Sequence, residues 1–180
     1  LFFKIKILSK MKKLQILFLA FILGSVAVTF TSCGSDDPCK DVDCGTNGDC
    51  FEGDCICNVG YEQDANGKCT VEQRAKFIGT YTGSETCTTG SDNYTINITT
   101  SSSAIDKVII SNVYNQGITL TGTVNKTALT IPAQTITIGA LTYTFQGTGT
   151  YTAGTPPTIL VDYSIQGNPS NACKFNGTKQ

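Results

Sequence analysis

The chain has 180 residues, with 13 Lys and Arg against 14 Asp and Glu, nine Cys, one Met and no His. Without histidine, nucleophilic triads built on an imidazole are excluded. Five of the bases (Lys4, Lys6, Lys10, Lys12, Lys13) crowd the start, leaving 14 carboxylates against eight bases beyond it. That balance argues against nucleic acid as a partner, because phosphate binding needs a basic footprint.

Residues 1–32 read as a signal peptide whose translation begins at Met11: Lys12 and Lys13 form a positive start, and Leu14 to Phe30 is almost wholly apolar. An uncleaved transmembrane anchor and a soluble secreted product are the alternatives to cleavage at the end of that run. Phe30-Thr31-Ser32-Cys33 resembles a bacterial lipoprotein cleavage box. The resemblance implies lipidation of Cys33, attachment to a membrane through the lipid, and a polar tether over 33–38. Asp36 and Asp37, just behind that cysteine, are similar to signals for outer-membrane or cell-surface delivery in Gram-negative bacteria. Two or more acyl chains at Cys33 would satisfy what stable anchoring requires.

Six cysteines follow within 31 residues: Cys39, Cys44, Cys50, Cys55, Cys57 and Cys69. With the Asn47-Gly48 turn, Cys55-x-Cys57, Gly60-Tyr61 and Asn66-Gly67, residues 39–69 resemble an epidermal growth factor (EGF)-like module. The resemblance implies the pairs Cys39 to Cys50, Cys44 to Cys55 and Cys57 to Cys69; six cysteines alone allow 15 pairings. A segment of this size cannot bury enough apolar surface to fold unaided, so cross-links must supply most of its stability. Zinc is disfavoured by the absence of histidine and of paired Cys-x2-Cys knuckles, and by the export signal. Ten of the 14 carboxylates fall between Asp36 and Glu72, which raises calcium. The positions where calcium-binding members of the family carry acidic or amide residues hold Ser35 and Pro38, however, and no metal is expected.

Thr70 to Lys76 has helix formers in succession, and a turn or two of helix is predicted there as the linker over 70–76. Residues 77–180 change to period two: Tyr94–Thr99, Ile118–Val124, Thr135–Ile138, Leu141–Phe145 and Ile159–Ile165 alternate apolar and polar side chains. Clusters of Gly, Asn, Ser and Pro punctuate them. The prediction is eight or nine antiparallel strands forming a β-barrel or β-sandwich, and a mostly β protein overall. The opening Phe77-Ile-Gly-Thr-Tyr81, the early Cys87 and the late Cys173 are similar to a recurrent β domain of bacterial lipoproteins. With Cys33 and the six clustered cysteines assigned, Cys87 and Cys173 remain and are expected to bond.

This domain has four carboxylates, Glu85, Asp92, Asp106 and Asp162, none in a recognisable motif, and no Gly-rich phosphate loop. No enzyme activity and no cofactor are therefore expected. Tyr94, Tyr143, Phe145 and Tyr163 lie on the apolar side of their strands and read as core. Tyr114 and Tyr151 stand beside polar or glycine-rich turns and are the candidate contacts for a protein or glycan. The competing expectation is a lipocalin-like carrier that encloses a small apolar ligand.

Overall fold

The computed structural model describes residues 37–180; the signal segment expected over 1–32 and the lipidation expected at Cys33 lie outside them. The cysteine-rich segment is two small hairpins. Strand β1 (Gly48–Phe51) pairs with β2 (Asp54–Cys57), and β3 (Tyr61–Gln63) with β4 (Cys69–Glu72). Three disulfides join Cys39 to Cys50, Cys44 to Cys55 and Cys57 to Cys69, with sequence separations of 11, 11 and 12. Each such loop is worth about 3 kcal/mol in the chain-entropy account, which matters here because Cys44 and Cys69 are the buried apolar residues of the segment. Gly48 is required by close approach: a Cβ there would lie 2.4 Å from Cys69 Sγ.

The helix predicted over 70–76 is only partly formed. Thr70–Glu72 belong to β4, where Glu72 pairs with Tyr61 and Val71 with Glu62, and Gln73–Lys76 make one 3-10 turn. Ladder hydrogen bonds to β3 outweigh the modest helix propensity of this stretch.

Eight strands follow: β5 (Gly79–Cys87), β6 (Gly90–Thr100), β7 (Lys107–Val113), β8 (Ile118–Asn125), β9 (Ala128–Ile138), β10 (Leu141–Thr152), β11 (Thr158–Gln166) and β12 (Asn171–Lys179). Each pairs antiparallel with the next, and β12 returns to β5, so the sheet closes as an up-and-down barrel. Closure leaves no unpaired edge. Cys87 and Cys173 are register partners on the closing seam and are bonded there.

The alternation read from the sequence explains the burial. Tyr94, Ile96 and Ile98 on β6, Ile118, Leu120 and Val124 on β8, and Ile159, Val161, Tyr163 and Ile165 on β11 all point inward. Outside stand mainly threonines, such as Thr142, Thr148, Thr150 and Thr152 on β10. An apolar inside and polar outside is the reverse of a membrane-spanning barrel. Eight strands enclose just enough room for side chains, and the remaining central void, between Ile96, Ile110, Val161 and Phe175, is about 10 Å³. The barrel is filled.

Strand direction defines two poles. The near pole carries Gly79, the 101–106 and 153–157 loops and the Lys126-Thr127 turn. The far pole carries Thr88-Thr89, the 114–117 turn, Gly139-Ala140 and the 167–170 loop. The cysteine-rich module meets the near pole. Arg74 Nη1 donates to the carbonyls of Ser101, Ala104 and Lys107 at 2.8, 3.1 and 3.2 Å, while its Nε donates to Glu72 at 2.9 Å. Gln73 Oε1 accepts from the Lys126 backbone N–H at 2.8 Å, and Phe77 is fully buried against Tyr151.

Candidate functional site

The far pole opens into a pocket of about 430 Å³, within the range of small-ligand sites. Its wall is built by strand alternation. Tyr143 and Phe145 face inward from β10, Ile165 stands opposite Phe145 on β11, and Asn171 stands opposite Ile165 on β12. Tyr114 and Gln116 enter from the β7–β8 turn, Thr89 from the β5–β6 turn, and Ile138 and Pro169 form exposed apolar rim. A second depression of about 550 Å³ lies on the outer wall where β9 bulges around Pro132 and Ala133. It is shallow and rimmed by exposed residues such as Pro132, Ala133 and Thr148, and its Asp162 is paired with Lys174 at 3.2 Å. The mouth is therefore the better-formed site.

Tyr114 is held in an unfavourable backbone conformation. Its φ is +59°, in the left-handed region that residues with a Cβ avoid, and Asn112 and Asn115 beside it have φ of +63° and +50°. Surrounding hydrogen bonds enforce the turn. Asn112 Nδ2 donates to the Thr95 carbonyl at 2.8 Å, Asn115 Nδ2 to Asp92 at 2.7 Å, and the Tyr114 backbone N–H to the Tyr94 hydroxyl at 3.1 Å. The Tyr114 hydroxyl accepts from Asn171 Nδ2 at 3.1 Å. Asn171 is otherwise satisfied by Thr89 Oγ1 at 2.7 Å, Thr88 Oγ1 at 2.5 Å and the Ala172 backbone N–H at 3.0 Å. A tyrosine pinned from both ends in a strained turn is a positioned side chain, and strain of this kind concentrates at binding sites.

Beneath the mouth lies a buried carboxyl group. Glu85 is 3% exposed, and one of its oxygens accepts from the Tyr94 hydroxyl at 2.7 Å and from the Tyr163 hydroxyl. Burial, and then the neighbouring carboxylate, push both phenols well above their ordinary range. No ion pair among the described residues involves Glu85. A Glu85 oxygen and the Cys87 and Cys173 sulfurs lie within 4.8 Å of one another, but bonded sulfurs present no thiolate to a metal.

The two tyrosines singled out in the sequence are separated. Tyr114 enters the mouth. Tyr151 lies at the near pole, half-buried, its ring 5.5 Å from that of Phe77 and its backbone N–H bonded to the Thr127 carbonyl. It packs beneath the linker and takes no part in the mouth. Tyr94, Phe145 and Tyr163 are core, while Tyr143 is half-buried and lines the pocket. Glu85 and Asn171 were not singled out. The signal for Glu85 was its register, since Tyr81, Gly83, Glu85 and Cys87 share one face of β5. No known family model matches the chain, and no curated protein matches it.

Proposed function

We propose that the chain is a lipid-anchored, noncatalytic binding protein of the cell envelope. In this reading Cys33 carries the lipid, an EGF-like module forms a rigid spacer, and the far mouth of the barrel takes one terminal group of a protein or glycan. The observation that carries it is the position of the pocket. An aromatic-lined opening lies at the pole opposite the cysteine-rich module, with Tyr114 and Asn171 fixed in its wall. A filled barrel with a central void of about 10 Å³ favours a ligand held at the mouth over one enclosed as in a carrier.

The test is retention of envelope proteins and glycans by the detergent-extracted protein, compared with Tyr143→Ala and Gln116→Trp. Both variants are expected to abolish binding, the first by removing an aromatic wall and the second by filling the opening. Binding that survives both and is lost in Tyr151→Ala would move the site to the near pole. Fatty-acid labelling and membrane retention are expected to disappear in Cys33→Ser, and their persistence would remove the anchor from the proposal.

A further inference from the structure

Charge is unevenly distributed along the barrel axis. Lys107 and Lys179 stand at strand ends and Lys126 in a turn on the near pole, with Asp106 beside them, while Arg74 and Lys76 there are paired with Glu72 and Glu62. Lys174, on the outer wall, is paired with Asp162. The far half holds Glu85 and Asp92, and these are direct register partners across β5 and β6. Like charges directly opposite each other on one face of a sheet destabilise it. Neither carboxylate has a cationic partner among the described residues. Asp92 accepts instead from Asn115 Nδ2 at 2.7 Å and the Asn93 backbone N–H at 2.8 Å, and Glu85 from two phenols. These donors are all neutral, so no cation stands against either carboxyl group among the described residues.

The pair is coupled to the mouth. Glu85 is two hydrogen bonds from the Tyr114 backbone, through the Tyr94 hydroxyl at 2.7 and 3.1 Å, and Asp92 holds Asn115, the next residue of the same turn. No charged side chain lines the pocket itself, whereas Tyr114, Tyr143 and Phe145 do. Aromatic faces attract cations, more strongly where water is excluded. A carboxyl group with no cation beside it makes such a region favourable to positive rather than negative ligands, and fields reach further in a low-dielectric interior than in water.

We infer that the mouth selects an organic cation, an ammonium group carried on an apolar body, and rejects anions such as fatty-acid carboxylates and phosphates. The inference rests on the reading of the mouth as the binding site. It assigns Glu85 and Asp92 as specificity-determining residues that act through the field, while the aromatic wall makes the contact.

The experiment titrates the intact protein with 2-phenylethylammonium, 2-phenylethanol and phenylacetate, following the tyrosine ring resonances by NMR. The ammonium is expected to bind at least about tenfold more tightly than the alcohol, with phenylacetate weakest and the preference falling as salt is raised. Glu85→Gln and, on the exposed side, Asp92→Asn should each bring the ratio of ammonium to alcohol affinity down toward one. Equal affinities for all three, or a preference untouched in both variants, overturn the cation assignment and leave the mouth as a neutral site. If none of the three shifts the Tyr114 or Tyr143 resonances, the mouth reading fails together with the inference.

Discussion

Tyr94 and Glu85 are joined at 2.7 Å between neighbouring strands β6 and β5, and the same Tyr94 hydroxyl accepts the backbone N–H of Tyr114 at 3.1 Å. Tyr163 also donates to Glu85, its hydroxyl lies beside that of Tyr94, and its ring stacks on Phe145, but it holds no backbone group of the Tyr114 turn. Replacing Tyr94 by Phe thus removes a partner from buried Glu85 and from the half-buried Tyr114 backbone N–H, whereas replacing Tyr163 by Phe removes a donor from Glu85 and leaves the turn alone. Hydrogen bonds to charged groups are worth about 1.5–3 kcal/mol net, and a buried group left unsatisfied costs about 1–3 kcal/mol. Urea denaturation should show Tyr94→Phe losing about 3 kcal/mol and Tyr163→Phe about 2 kcal/mol. The reverse order would mean that the Tyr114 turn does not depend on Tyr94.

Alkaline pH should test the same core. Burial pushes Tyr81 up to about 12, and Tyr94 and Tyr163 rise further above the ordinary phenol range. In the unfolded chain these phenols lose their protons near pH 10. Because the folded-state values are raised, their contribution to stability is complete below about pH 10 and is lost as pH rises through the folded values. Absorbance near 295 nm should show these three tyrosines still protonated at pH 11 while far-ultraviolet dichroism stays native, with their ionisation accompanying unfolding. Ionisation of all seven tyrosines before any loss of dichroism would contradict the buried cluster.

The strands of this barrel were legible where alternation is strong, as in Ile118–Asn125 and Thr158–Gln166. Strand β5 was harder. Its inward face is Tyr81, Gly83, Glu85 and Cys87, so half of it lacks an apolar side chain and the carboxylate gives no periodic signal. The glycines around Tyr151 give its segment the composition of an exposed turn. Gly147 is in fact inside a twelve-residue strand, where a Cβ would come within 2.3 Å of the Asp162 carbonyl oxygen. Glycine there marks close packing instead of a turn. Barrel and sandwich could not be separated in advance, because closure depends on the pairing of β12 with β5, strands distant in sequence. The mouth was beyond reach for a related reason: it combines residues from four strands and three loops between Thr89 and Asn171.

The bond between Cys87 and Cys173 spans 86 residues across the seam that closes the barrel. A loop of that length is worth about 4 kcal/mol in the chain-entropy model. The double variant Cys87→Ser, Cys173→Ser should lower the unfolding free energy by about that amount. Its dichroism spectrum should remain native, because the paired backbones of β5 and β12 still hold the seam. A loss of strand signal at low temperature would show that the bond is needed to form the barrel as well as to stabilise it.

Arg74 should be irreplaceable by lysine. Its guanidinium is largely buried and reaches three carbonyls and Glu72 together, and a single ammonium cannot reproduce that planar set of donors. Arg74→Ala and Arg74→Lys should both destabilise by about 2–3 kcal/mol, through loss of the charge-assisted hydrogen bonds that tie the turn to these carbonyls. Denaturation curves in which Arg74→Lys matched the parent would show that charge alone suffices there.

The grip of Arg74 on the 101–107 segment, reinforced by Gln73 and Phe77, leaves no joint between the cysteine-rich module and the barrel. Mechanically the two behave as one lever. A pull applied at the mouth travels along paired strands to the near pole and through the guanidinium into loops closed by covalent bonds, with no slack segment to stretch on the way. A point at the mouth therefore keeps a fixed distance and a fixed angle from the disulfide-closed loops at the other end of the lever.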